Sequence, residues 1–275
     1  MKLDIFHRTR YTYATPVRDS FNDVRLQPVP IPEQTVESFL LRVLPSSRLT
    51  HFKDFYSNWI HHFEIIEPHS QLLIEASSRV ITHPPAPLPA ERICSFDQMR
   101  EAPNIERCFD YLCASRFVEL SPEAWKLALD ATAGLDDAWL AALTLMKFTH
   151  GFLKYESAST HVHTHMSELL RDRRGVCQDF AHLLLGLCRS LKIPARYVSG
   201  YLATEAASAT HAWIEVFVPG HGWRGLDPTH NCQLGETYVK IGSGRDYADV
   251  PPISGNYRGT RDRKMEVEVR ITPVN

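Results

Sequence analysis

The sequence predicts an α+β protein, and three observations carry that prediction. Its first 85 residues hold short runs of β-branched and aromatic residues separated by turn signals. A cluster of four prolines between Pro84 and Pro89 then interrupts all regular pattern. Beyond it the apolar residues recur at helical spacing, until a helix followed by alternating strands fills the stretch from Gly175 to Asn231.

Phe6–Tyr13 reads as a strand that ends at Thr15-Pro16. Val36–Val43 and Leu72–Ile81 read likewise, with turns at Pro28-Val29-Pro30 and Pro45-Ser46-Ser47. Residues 1–85 are therefore expected to form a β-rich domain, sandwich-like or an open barrel, with His61-His62 on its surface. His83–Pro89 reads as a stiff linker, and residues 86–275 as a second domain. Within it Ser121 is an N-cap, with Pro122 at the first helical position. A further helix is expected over Asp136–Phe152, with Leu140, Leu143, Met146 and Phe148 as its apolar residues. The alternation of Met265–Ile271 predicts a closing strand with one apolar face.

Composition excludes several function classes. Hydrophobic residues are 44% and charged residues 23% of the 275, which fits a folded globular chain and not a disordered one. Lys and Arg number 30 against 32 Asp and Glu, a net charge of -2, so no nucleic-acid surface is expected. No apolar run approaches the roughly 18 residues of a membrane span. The N-terminus lacks the apolar core of a secretion signal. The 6 cysteines have irregular spacing and no Cys-x-x-Cys pair. A reduced, cytoplasmic setting without membrane contact follows as the expectation; oligomeric state is left open.

The block after Gly175 carries the chemistry. Phe180, Leu183, Leu184, Leu187, Cys188 and Leu191 lie on one helical stripe, which Pro194 ends. Cys177 stands at the start of that helix, and Gly175 before it permits a sharp turn. A helix N-terminus favours a thiolate, and its amides can hold a substrate oxyanion. Cys188, on the buried stripe, has the opposite environment and no expected role. Downstream, His211–Val218 alternates, placing Ala212, Ile214, Val216 and Val218 on one face and His211, Trp213, Glu215 and Phe217 on the other. A turn near Pro219-Gly220 returns the chain through Trp223–Leu226. Asp227 then falls within a rung or two of His211, close enough to fix its tautomer.

Gly175–His182, Gly200-Tyr201, His211–Val216, Gly222-Trp223 and Leu226–Thr229 together resemble the transglutaminase-like superfamily, and above all its bacterial members. The motif core covers residues 152–231. Tyr11–Tyr13 and Arg25–Pro28 resemble the N-terminal module of those bacterial proteins, and Gly244–Pro252 one of their later segments. The resemblance implies a papain-like core, a Cys-bearing helix packed on an antiparallel sheet. It implies Cys177 as nucleophile, His211 as base and acid, Asp227 as orienter, and a thioester acyl-enzyme made from a peptide, protein or small amide substrate. Cross-linking transglutaminases carry an aromatic residue directly after the cysteine. Gln178 stands there instead, so amide hydrolysis is favoured over cross-linking.

Gln178 and Trp213 are the candidates for an oxyanion donor and a cleft wall, with Trp223 a further wall residue. The spacing His161-Val162-His163-Thr164-His165 could project imidazoles to one face. It lacks neighbouring acidic or sulfur ligands, so no metal and no cofactor is expected. Two other readings stand beside the enzyme: a catalytically silent peptide-binding scaffold on the same fold, and a metal-dependent hydrolase built on the His161 cluster.

Overall fold

The chain, seen in a computed structural model that describes residues 1–89, 93–101, 106–156, 164–203 and 208–274, begins with a strand that serves two sheets. β1 (Lys2–Val24), β2 (Gln34–Leu44), β3 (Thr50–Lys53), β4 (Trp59–Ile65) and β5 (His69–Thr82) follow in order. β1 passes straight through Thr15-Pro16, but its register slips between Thr12 and Val17, and there it changes partners. Its first half pairs with β5, which pairs with β2. Its second half pairs with β4, which pairs with β3. Tyr11, Val24, Leu41, Phe63, Leu72 and Ile74 meet in the shared core, giving the sandwich-like form that alternating strands require when each buries one face. His61, expected at the surface, is buried against Phe39 and His51; its place on β4 turns it inward, while His62 points out.

Among the described residues five α-helices follow: α1 (Phe96–Glu101), α2 (Pro122–Ala131), α3 (Ala138–Phe152), α4 (Met166–Asp172) and α5 (Cys177–Ser190). The Ser121 hydroxyl accepts the Ala124 N–H and caps α2. Asp137 caps α3, which begins at Ala138 and not at Asp136. The buried side of α3 is Ala138, Ala141, Ala142, Leu145 and Met146, whereas Leu140 is exposed. Short strands β6 (Lys154–Tyr155) and β7 (Arg174–Gly175) pair in parallel. β8 (Ala195–Ala203), β9 (Ser208–Val218), β10 (Gly222–Asp227), β11 (Cys232–Gln233) and β12 (Tyr238–Gly244) form a curled antiparallel sheet in the order β11-β10-β9-β8-β12. α5 packs on one face of this sheet, where Ala212, Ile214, Val216 and Val218 join its leucines.

The last two strands correct the expected domain division. β13 (Ile253–Arg258) and β14 (Arg263–Pro273) pair with β1, so residues 253–273 belong to the N-terminal sheets and not to the unit that begins at 86. The alternation of the tail identifies a strand, but a pattern of period two does not say which edge the strand will join. Its apolar face is only partly covered. Met265 and Val267 are exposed, while Val269 and Ile271 pack with Leu3, Ile5 and Val80 against Tyr201, Val239 and Ile241 of the curled sheet. Two side-chain amides clamp the same junction. Gln34 bonds the N–H and C=O of Lys240 at 2.8 and 2.9 Å, and Asn58 bonds those of Ser243 at 2.8 and 2.9 Å.

Candidate active site

Cys177 is the first residue of α5, and its position is built locally. Val176 is extended, and its N–H is accepted by the Asp179 carboxylate at 2.8 Å, which closes the helix start. Asp179 is fully buried over Gly175. Gly175 adopts no left-handed backbone; it is needed because a Cβ there would sit 2.5 Å from the Asp179 Cβ. Gly175→Ala should therefore cost about 1–3 kcal/mol of stability through overpacking, read as a lowered melting temperature. At the other end of α5 the buried Arg189 donates to the Ala195 carbonyl at 2.9 and 3.1 Å and to the Arg245 carbonyl, tying the helix to β8 and the segment after β12.

His211 and Asp227 come together as the hairpin geometry predicts. β9 and β10 pair Ile214 with Leu226, and from the next position Asp227 Oδ2 reaches His211 Nε2 at 2.7 Å. Cys177 lies close enough to the same imidazole to raise its pKa. Burial alone would push the His211 pKa down. The hydrogen bond to Asp227 and the nearby Cys177, with their charges, overcome it and raise the group from 6.5 to about 9. Asp227 is fully buried and carries five hydrogen bonds. Besides His211, its Oδ2 accepts from Tyr238 Oη at 2.7 Å and contacts His230 Nδ1 at 2.8 Å. Its Oδ1 accepts the N–H groups of Thr229 and His230 at 2.8 and 3.2 Å. Burial opposes ionisation here, but the bonds to His211, His230 and Tyr238 hold the carboxyl far below the usual range.

Two of these partners, His230 and Tyr238, lie outside the sequence expectation. His230 was legible, since a His three residues after Asp in Asp-Pro-Thr-His can turn back on the carboxylate. Tyr238 had no signal: it stands on β12, at the opposite end of the strand order from β11, and only the curl of the sheet carries it to Asp227.

Trp213 is buried beside the pair, its ring 6.2 Å from that of His211 and edge-on to Tyr238 at 5.4 Å. Gly200 makes room for it, because a Cβ there would run into the indole and the Val239 carbonyl. Gln178 is buried in the first turn of α5. Trp223 lies apart from the imidazole, stacked under the Arg196 guanidinium at 4.0 Å and against Phe217. Burial pushes the Cys188 thiol up to about 12 and that of Cys108 to about 11.

His161 and His163 lie outside the described residues; His165 is the N-cap before α4, 3.7 Å from Glu119. Among the described residues His211, Asp227 and His230 bring three ligand atoms within 4.8 Å of one another. As they stand, those atoms hydrogen-bond one another.

Residues 3–81 match the bacterial transglutaminase-like N-terminal region, and residues 126–228 match the transglutaminase-like superfamily. An uncharacterized protein of Mycobacterium leprae is 31% identical over 279 residues, covering 98% of each chain. The chain belongs to the transglutaminase-like superfamily. Its fold agrees with a crystal structure of a candidate cysteine protease from Cytophaga hutchinsonii, with a TM-score of 0.79 and 25% identity over 100% of this chain and 92% of that one. A protein-glutamine gamma-glutamyltransferase of Pseudomonas aeruginosa is 29% identical over 137 residues, 44% of this chain and 20% of its own length. At the level of the family, this transglutaminase-like protein is a cysteine-dependent hydrolase or transferase. Among its described residues no helix is long and apolar enough to cross a membrane.

Proposed function

We propose that the chain is a Cys177-dependent enzyme that opens amide bonds of peptides, proteins or small amides by hydrolysis. One observation carries the reading: a buried imidazole lies between a carboxylate, 2.7 Å from its Nε2, and a cysteine at the start of a helix. The Cys177 thiol passes its proton to His211 as its sulfur adds to the carbonyl carbon, and the Cys177 backbone N–H at the helix start donates to the oxyanion. The C–N bond breaks, the amine leaves with a proton from His211, and a thioester remains. Water then adds with His211 as base, and the acid leaves as Cys177 recovers its proton. Asp227 orients the imidazole and stabilises its charged form. Gln178 after the cysteine, and likeness to the Cytophaga protein, support hydrolysis. The partial likeness to the Pseudomonas glutamyltransferase favours a second reading, in which an amine replaces water.

Two measurements test the proposal. Iodoacetamide at slightly acid pH should label Cys177 far faster than Cys94, Cys108, Cys113, Cys188 or Cys232; uniform labelling, or preference for Cys113, contradicts it. A screen of peptides and amides for released ammonia or amine, with and without an added primary amine, separates hydrolysis from transfer. Free acid formed at the same rate in both conditions marks a hydrolase.

A further inference from the structure

Behind Trp213, on the face of the curled sheet opposite α5, lies a cavity of about 170 Å³. The sheet forms its floor, the segment Ile31–Gln34 one wall, and the proline linker His83–Leu88 another. Its volume falls below the roughly 300–1,000 Å³ of pockets that take drug-sized ligands, so its occupant is small.

The polar groups on this lining are unevenly satisfied. Trp213 Nε1 is buried with no hydrogen-bond partner, and so is Arg224 Nε, although Arg224 Nη1 donates to the Ala86 carbonyl of the linker at 2.8 Å. Lys240 spends one donor on Glu215 at 2.7 Å; Glu215 is also paired to Arg196 at 2.6 Å and has no charge to spare. Two donors on the lining residues, Trp213 Nε1 and Arg224 Nε, therefore lack an acceptor within the protein, and the Lys240 ammonium has donors beyond the one it gives to Glu215. One carboxylate, Glu33, also lines the cavity; it forms no ion pair within 4 Å among the described residues, and its charge acts at longer range on Lys240. Between these groups the surface is apolar, formed by Leu88, Leu234 and Trp223.

We propose that this cavity binds a free α-amino acid with an apolar side chain. Its carboxylate meets the donors of Lys240, Trp213 and Arg224, its ammonium meets Glu33, and its side chain lies against the leucines. A simple carboxylate would leave Glu33 facing a like charge, and a simple amine would leave the donors unmet. The site is distinct from the one at Cys177, because its lining includes none of Cys177, His211 and Asp227. It is nevertheless coupled to it: the occupant touches Trp213 and Tyr238, which contact the His211 ring and donate to Asp227. The binding does not depend on the proposed activity.

The test is calorimetry on the full chain with L-leucine, 4-methylpentanoate and leucinamide, which keep the side chain and delete one charge at a time. Leucine should bind at least about tenfold more tightly than either. Trp213→Phe and Glu33→Gln should each weaken it about tenfold. Leu234→Trp, at the partly exposed rim, should fill the cavity and abolish binding without lowering the melting temperature. Leucine should also shift the NMR signals of the Tyr238 and His211 rings, whether or not Cys177 is a nucleophile. Absence of leucine binding at millimolar concentration overturns the proposal. So does equal binding of 4-methylpentanoate or leucinamide, or undiminished binding by the folded Leu234→Trp protein.

Discussion

Cys177→Ala should lose amide turnover by at least about 10⁴-fold, the scale on which removal of a catalytic nucleophile acts, while melting close to the parent protein. The two effects separate because of where the residue sits. Cys177 is only partly buried, and the closing contacts of α5 belong to Val176 and Asp179, so truncating the side chain leaves the helix start intact. Cys188→Ala makes the opposite control. Its thiol lies wholly inside the leucine-rich core around α5, so its loss should cost about 1–2 kcal/mol of stability and leave turnover of the folded protein unchanged. Measured together on one amide substrate, the pair distinguishes an enzyme from a binding scaffold. A scaffold would tolerate Cys177→Ala in every functional assay and would be hurt only by the core substitution.

The position of Cys177 at a helix start and the pairing of His211 with Asp227 are legible because they rest on local periodicity. The stripe from Phe180 to Leu191 marks a helix, and its first residue is found by stepping back to the glycine. A two-period strand and a Pro-Gly turn bring Asp227 onto His211 within one hairpin, so no long-range information is needed. What was not legible depends on contacts between distant segments. Tyr238 arrives only because the sheet curls, and the Gly175 requirement comes from Asp179 folding back over it, not from backbone conformation. The return of residues 253–273 to β1 is of the same kind. Period two specifies a strand and a face, but edge pairing depends on which edges the first 85 residues leave open. The amide clamps of Gln34 and Asn58 on β12 likewise join residues that no local pattern relates.

Asp227→Asn should lower turnover by about 10³–10⁴-fold, as loss of an orienting carboxylate does in triad enzymes, and should also move its pH dependence. In the parent protein His211 stays protonated up to about 9, so kcat/KM is expected to fall on the alkaline side near that value as the imidazole loses the proton it gives to the leaving amine. Asparagine keeps the shape and removes the charge, leaving burial, which pushes His211 down, opposed by Cys177 alone. The alkaline limb should therefore shift to lower pH. Stability carries the same signature with a defined sign. Because the folded pKa of His211 lies above the ordinary 6.5, its contribution is full below about 6.5 and is lost as pH rises through about 9. Asp227 acts in the other direction: its folded pKa is depressed, so its contribution is present above the ordinary 3.8 and is lost as acid protonates it. Melting temperatures from pH 6 to 10 should decline in the parent protein and flatten in Asp227→Asn. A variant that loses activity while its alkaline limb and its melting profile both keep the parental shape would mean that the carboxylate does not act through the imidazole. The 2.7 Å contact would then be a packing detail, and His211 would need another source for its raised affinity for the proton.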